Sequence, residues 1–63
     1  MNLNKAAAAQ LLDALRRTLM LSAASAGARG YETALASYSA AHTMVATLGF
    51  TITVDEHGRH SID

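Results

Sequence analysis

The 63-residue chain has no cysteine, so neither a disulfide framework nor a thiolate zinc site is open to it, and its redox compartment is left undetermined. Nor does it have a surplus of charge, since five basic residues balance five acidic ones. Nucleic-acid binders usually carry a basic face that neutralises phosphates and releases counterions, and Lys5, Arg16, Arg17 and Arg29 could form a small one here. Bulky side chains are scarce too: 51% of residues are hydrophobic, but 14 of the 63 are alanine, which fills little volume. A chain this short hides only about 60% of its unfolded surface and is marginal alone. With disulfides and thiolate zinc excluded, oligomerisation is the remaining common remedy, and a dimer or larger homo-oligomer is expected. The N-terminus lacks the basic start and compact apolar run of a signal peptide. Residues 33–54 carry no formal charge and are long enough to span a bilayer. They include Ser37, Ser39, His42, Thr43, Thr47, Thr51 and Thr53, too polar for that role. The expected setting is cytoplasmic, with no membrane partner.

What the chain does have is helical periodicity. Leu12, Leu15, Leu19, Ser22 and Ala26 advance in steps of three and four, as do Tyr31, Leu35, Tyr38, His42 and Val45. Each set therefore shares one helix face. Asn4 is a candidate N-cap before the helix-forming run Ala6 to Ala9, which predicts a first helix over about 5–26. On its wheel Leu11, Leu12, Leu15, Leu19, Ser22 and Ala26 share one arc. Asp13, Arg16, Arg17 and Ala24 lie opposite, with Met20 among them and Leu21 on the flank. The segment 27–30, Gly-Ala-Arg-Gly, reads as the turn, with Gly27 in the left-handed conformation that closes a helix. One long bent helix through both glycines is the competing arrangement, but only a hairpin lets the two stripes bury each other. The second helix is predicted over about 31–48, with Glu32 in its first turn suiting the helix dipole. Gly49 closes it, and Phe50 then covers Val45 in the manner of a Schellman motif. Its remaining face is small, with Thr33, Ala36, Ser37, Ala40, Thr43 and Thr47, and permits close approach of the first helix or of another copy.

Past Gly49 the period becomes two. Phe50, Ile52 and Val54 point one way, and Thr51, Thr53 and Asp55 the other. A three-residue turn of Glu56, His57 and Gly58, with Gly58 as the left-handed bulge residue, sets Asp55 against Arg59, Val54 against His60 and Ile52 against Ile62. A two-residue turn would pair Thr53 with Ile62 and misalign the apolar faces. A hairpin over about 50–62 is barely stable by itself, so it must lie on the helices or extend a sheet with a second chain. The expected fold is α+β and mostly α, a single domain over 1–63. An antiparallel helical hairpin precedes a short C-terminal β-hairpin, and oligomerisation completes it. Leu12, Leu15, Leu19, Leu35, Val45, Phe50, Ile52 and Ile62 are expected to be buried in the assembly.

Tyr31, Tyr38 and His42 form the one concentrated polar-aromatic set. Such side chains are enriched at interfaces, and His42 can make binding depend on pH. The plainer alternative is a helix-packing seam with the phenols at its rim. Met20, amid polar neighbours, is either a scattered exposed apolar residue or a further partner contact. Arg29 and Gly30 stand before a helix N-terminus, where free amides and the dipole favour phosphate or carboxylate. The local GxxG pattern also occurs in the nucleotide-clamping loops of KH domains, although the rest of that fold is missing. His57, His60 and Asp55 carry metal-ligating atoms, but a structural site usually wants four fixed ligands. Near a chain end these residues are expected to face water, so neither a metal nor a cofactor is expected. The serines lie in alanine-rich helices, and Glu32, Asp55 and Glu56 have no local partner. With no nucleophile–base pairing, an enzyme is not expected.

The succession of an alanine-rich helix, a glycine break, a helix ending in Leu48-Gly49-Phe50 and then Thr51-Ile52-Thr53-Val54-Asp55-Glu56 and Gly58 resembles small accessory proteins of phages and other mobile elements. Those proteins typically carry two helices and a short terminal hairpin, and several are stoichiometric inhibitors of host defence systems or enzymes. The resemblance covers most of the chain and transfers no functional residue. It implies a non-enzymatic oligomer that inhibits or modulates a host protein by binding it. The alternative is a module that sequesters or senses a phosphorylated small ligand, such as a nucleotide, or a nucleic-acid segment near Arg29. Salt separates the two, because an anion site weakens as ionic strength rises and an apolar interface does not.

Overall fold

A computed structural model describes residues 4–25 and 27–63. The elements follow in the order α1 (Lys5–Ser25), α2 (Gly27–Thr47), β1 (Ile52–Val54) and β2 (His60–Ile62). The two helices form a hairpin, followed by a two-stranded antiparallel sheet. Asn4 caps α1 as expected: its Oδ1 accepts from the Ala7 amide at 2.7 Å, and its carbonyl takes the first helical bond from Ala8 at 3.0 Å. One amide that the helix itself leaves without a partner is thereby satisfied.

The expected turn over 27–30 is corrected. Gly27 is left-handed, with φ 72°, but α2 begins at that residue. The Arg29 carbonyl is already within helical reach of the Thr33 hydroxyl at 3.0 Å. Ala28 and Arg29 are good helix formers, so helical bonding extends back through Gly30, whose cost of about 1 kcal/mol does not stop it. Ala26, expected to end the first helix and its stripe, lies outside the described residues. At the other end Gly49 is left-handed, with φ 96°, and its amide bonds the Ala46 carbonyl at 3.0 Å. That is one of the two bonds of a Schellman closure, and Phe50 packs on the cluster that contains Val45.

The strand register is the one the alternation predicts, Ile52 with Ile62, Thr53 with Ser61 and Val54 with His60. Reciprocal bonds between Thr51 and Asp63, at 2.9 and 3.0 Å, prolong the ladder. Gly58 takes φ 80° in a turn closed by Gly58 N to Asp55 O at 3.1 Å and Asp55 N to Arg59 O at 3.0 Å. The Asp55 carboxylate accepts from the amides of His57 and Arg59 at 2.8 and 2.9 Å. The Arg59 bond is the first cause holding its carboxyl below the ordinary value.

Ala8, Leu12, Val45 and Ile62 form the central cluster, flanked by Ala9, Tyr38, Ala41, Phe50 and Ile52. Leu19 and Ala34 are buried nearer the helical turn. Of the expected core, Leu15 is half-buried in the single chain and Leu35 is 39% exposed. The inward face of α2 runs through Ala34, Tyr38, Ala41 and Val45 instead. Alanines at the contact let the helices come close enough for the α1 leucines to fill the gap. That leaves no room for Leu35 or Tyr31.

Candidate functional site

The hairpin lies along the α1 face that the wheel assigned to solvent. His60 shares the inward side of β2 with Ile62, and its side chain is fully buried. Its Nδ1 sits 2.7 Å from Asp13 Oδ1, and its backbone amide donates to the same oxygen at 2.8 Å. Its Nε2 lies 2.6 Å from the Tyr38 hydroxyl. A carboxylate only accepts, so Nδ1 carries a proton; in the neutral ring, Nε2 then accepts from the phenol. The bond from the His60 ring, followed by that from its amide, holds the Asp13 carboxyl below its ordinary value against the opposing effect of burial, and the nearby charges of His60 and Arg59 add to this. Tyr38 also meets the rings of His60 and His42 in tilted contacts, at centroid distances of 5.6 and 6.0 Å.

Carboxylate, imidazole and hydroxyl follow one another here in the order of an activated nucleophile. The imidazole, however, has no exposed surface through which to serve an incoming group. Physically the three residues latch α1, α2 and β2 together. The expectation that His60 faces water is therefore corrected. The available signal was the register: it put His60 on the Ile62 side, where a buried imidazole needs a partner, and Asp13 is the one acid in α1. His57, His60 and Asp55 do not gather, since Asp55 is committed to the turn and His60 to the latch. Among the described residues, no three His, Asp or Glu side chains are placed to hold a metal.

Beside the latch, α1 and the hairpin turn enclose a pocket of about 270 Å³ lined by Asp13, Arg16, Arg17, Met20, His57, Gly58 and Arg59. The Arg16 guanidinium lies over Gly58, where any Cβ would overlap it. The ion pairs within 4.0 Å among the described residues are His57–Glu56 and His60–Asp13, and neither includes an arginine.

A second, larger cavity of about 550 Å³ runs between the helices, lined by Leu15, Thr18, Ser22, Arg29, Gly30, Thr33, Ala34 and Ser37. Arg29 and Gly30, the expected anion site, thus border an interhelical groove within the first turn of α2. The expected recognition residues also separate. Tyr31 is 37% exposed and Met20 48% exposed at the arginine pocket, whereas Tyr38 bonds inward to His60 and His42 is half-buried against it. No helix among the described residues is long and apolar enough to cross a membrane. Compared with known protein families, curated proteins and solved structures, the chain matches none.

Proposed function

We propose that the protein is a non-catalytic binding module that acts as an oligomer and modulates a partner protein by stoichiometric contact, as in the phage accessory proteins it resembles. The observation that carries this reading is the distribution of apolar side chains. Leu12 is the one large side chain fully buried among the described residues, while Leu11, Met20, Leu21, Tyr31, Leu35, Met44, Leu48 and Val54 are exposed. The buried His60 and its partners Asp13 and Tyr38 hold the elements together.

The occupant of the interhelical groove is a second copy of the chain. Leu11 and Leu15 stand two residues to either side of Asp13, hence on the far side of α1 from the hairpin at about 100° per residue. Small residues at Ser22, Gly30, Ala34 and Ser37 let another helix approach closely. In a two-fold dimer each contact occurs twice. Leu11, Met44 and Leu48 are about half exposed and Leu15 less so, so covering them in both copies regains about half of the 1.5–3 kcal/mol that full burial of each contributes, a sum of the same order as the association cost of about 4–15 kcal/mol.

Light scattering across micromolar to millimolar concentration should return about twice 6.6 kDa. Leu15→Glu, or Ser37→Arg if the former unfolds, should return the single-chain mass with the helical signal intact. A mass of 6.6 kDa for the native chain at every concentration would overturn the reading. Partner capture is tested with Tyr31→Ala and Met20→Ala, because both side chains are exposed, whereas changing Tyr38 breaks the latch. Capture lost with the fold intact supports recognition at that residue. Capture unchanged in both removes these two residues from the recognition surface.

A further inference from the structure

We infer that the pocket between α1 and the hairpin turn binds the dianionic phosphate of a small molecule. Three of the chain's five cationic side chains, Arg16, Arg17 and Arg59, converge there from two parts of the sequence. The one carboxylate in the lining is Asp13, and its Oδ1 already accepts twice from His60. Within the lining, three guanidiniums against one carboxylate leave a surplus of positive charge suited to an anion; Asp55, whose carboxylate accepts from the amides of His57 and Arg59 and feels the charge of Arg59, reduces it from the turn. His57 adds to that surplus when protonated, and Glu56, 3.5 Å from its Nε2, offsets it.

The guanidinium donors are available, since no arginine takes part in an ion pair among the described residues. One of them is also preorganised. Arg16 passes over Gly58, which is buried and lacks the Cβ that would block it. A guanidinium held in place by backbone loses less side-chain freedom on binding, and its planar fork suits bidentate contact with phosphate oxygens.

Size and charge placement favour a small ligand over a polymer. A volume of about 270 Å³ lies just below the range of about 300–1,000 Å³ for small-molecule sites, enough for a phosphate group with a small remainder, and Met20 supplies an apolar wall. A nucleic acid needs a track of cations, and the chain's other two lie elsewhere. Lys5 is about 16 Å along α1 from Arg16 at 1.5 Å per residue, and Arg29 borders the interhelical groove. The pocket is on the hairpin side of α1, so the inference stands whether or not copies associate through the groove.

The test is a nuclear magnetic resonance titration of the full chain, at low salt, with inorganic phosphate and with adenosine monophosphate. Saturable shifts are expected at the Gly58 amide and at the side-chain Nε signals of Arg16, Arg17 and Arg59. Tighter binding of inorganic phosphate identifies the free ion as the ligand source, and tighter binding of the nucleotide identifies a phosphate ester. Arg17→Gln and Arg59→Gln change exposed side chains and should each weaken binding about tenfold, roughly 1.4 kcal/mol, with the helical signal unchanged. Arg29→Gln should leave affinity as it was. Absence of saturable shifts at Gly58 up to about 10 mM of either probe, or equal loss in Arg29→Gln, overturns the inference. Tighter binding of a single-stranded oligonucleotide or a glutamate-rich peptide than of the nucleotide overturns it as well.

Discussion

Asp13 Oδ1 takes two hydrogen bonds from a single residue, the amide of His60 at 2.8 Å and its imidazole at 2.7 Å. Both donors are buried, and leaving a buried donor unpaired costs about 1–3 kcal/mol. Asp13→Asn keeps an acceptor in the same place and removes the charge, which makes it the informative substitution. A charge-assisted bond is roughly twice as strong as a neutral one. The variant should therefore lose on the order of 1 kcal/mol at neutral pH, or about 4–8 °C in melting temperature. The pH dependence carries a definite sign. The folded-state pKa of Asp13 lies below its ordinary value of 3.8, so its contribution is complete above about pH 4 and is lost as pH falls through the lowered value. Asp55 is lowered in the same direction. Thermal melts of the native chain should fall below about pH 4, and less steeply in Asp13→Asn, which lacks the Asp13 contribution. Parallel acid limbs in the two proteins would show that Asp13 adds nothing.

The β-hairpin is held at two levels, its own turn and its seat on α1, and both converge on Gly58. Its φ of 80° costs an L-residue about 1–2 kcal/mol, and the Arg16 guanidinium occupies the space a side chain would need. Gly49, with φ 96°, has nothing within 4 Å of its own Cβ position. Gly58→Ala should therefore destabilise more than Gly49→Ala, and the excess should disappear when Gly58→Ala is combined with Arg16→Ala. Denaturant melts of the four proteins, Arg16→Ala included, measure this as a coupling energy. Equal costs at the two glycines would mean that Arg16 swings away freely. The hairpin's register and bulge are legible in the chain, because a period of two and one well-placed glycine leave a single alignment that keeps Ile52 and Ile62 together. Its docking partner is not legible in that way, because local pairing carries no information about which helix face it will cover.

At the scale of the whole molecule, one large side chain is fully buried and eight large apolar ones are exposed among the described residues, the imbalance on which the proposed association rests. If the groove closes on a second copy, stability becomes linked to concentration, and the melting temperature of the native chain should rise with concentration while that of Leu15→Glu stays constant. The same packing explains how the stripe on the second helix divided. Periodicity placed Tyr31, Leu35, Tyr38, His42 and Val45 together, but close approach at Ala34 and Ala41 turned the helix so that Tyr38 and Val45 face inward while Tyr31 and Leu35 remain at the surface.

The sequence by itself determined the elements and their order: Asn4 begins the first helix, Gly27 breaks the helical run, Gly49 ends the second helix, and Gly58 with the alternating residues sets the hairpin; the start of the second helix, expected at about 31, lies at Gly27 instead. These are local matters of capping, backbone conformation and period, decided within a few residues of each position. Only the tertiary structure decided which polar groups meet. Asp13 and His60 are 47 residues apart, and Tyr38 and His60 are 22 apart. Arg16, Arg17 and Arg59 likewise share a pocket only because the hairpin folds back onto α1. Contacts of that range depend on where three elements pack at once, and no local pattern along the chain encodes it.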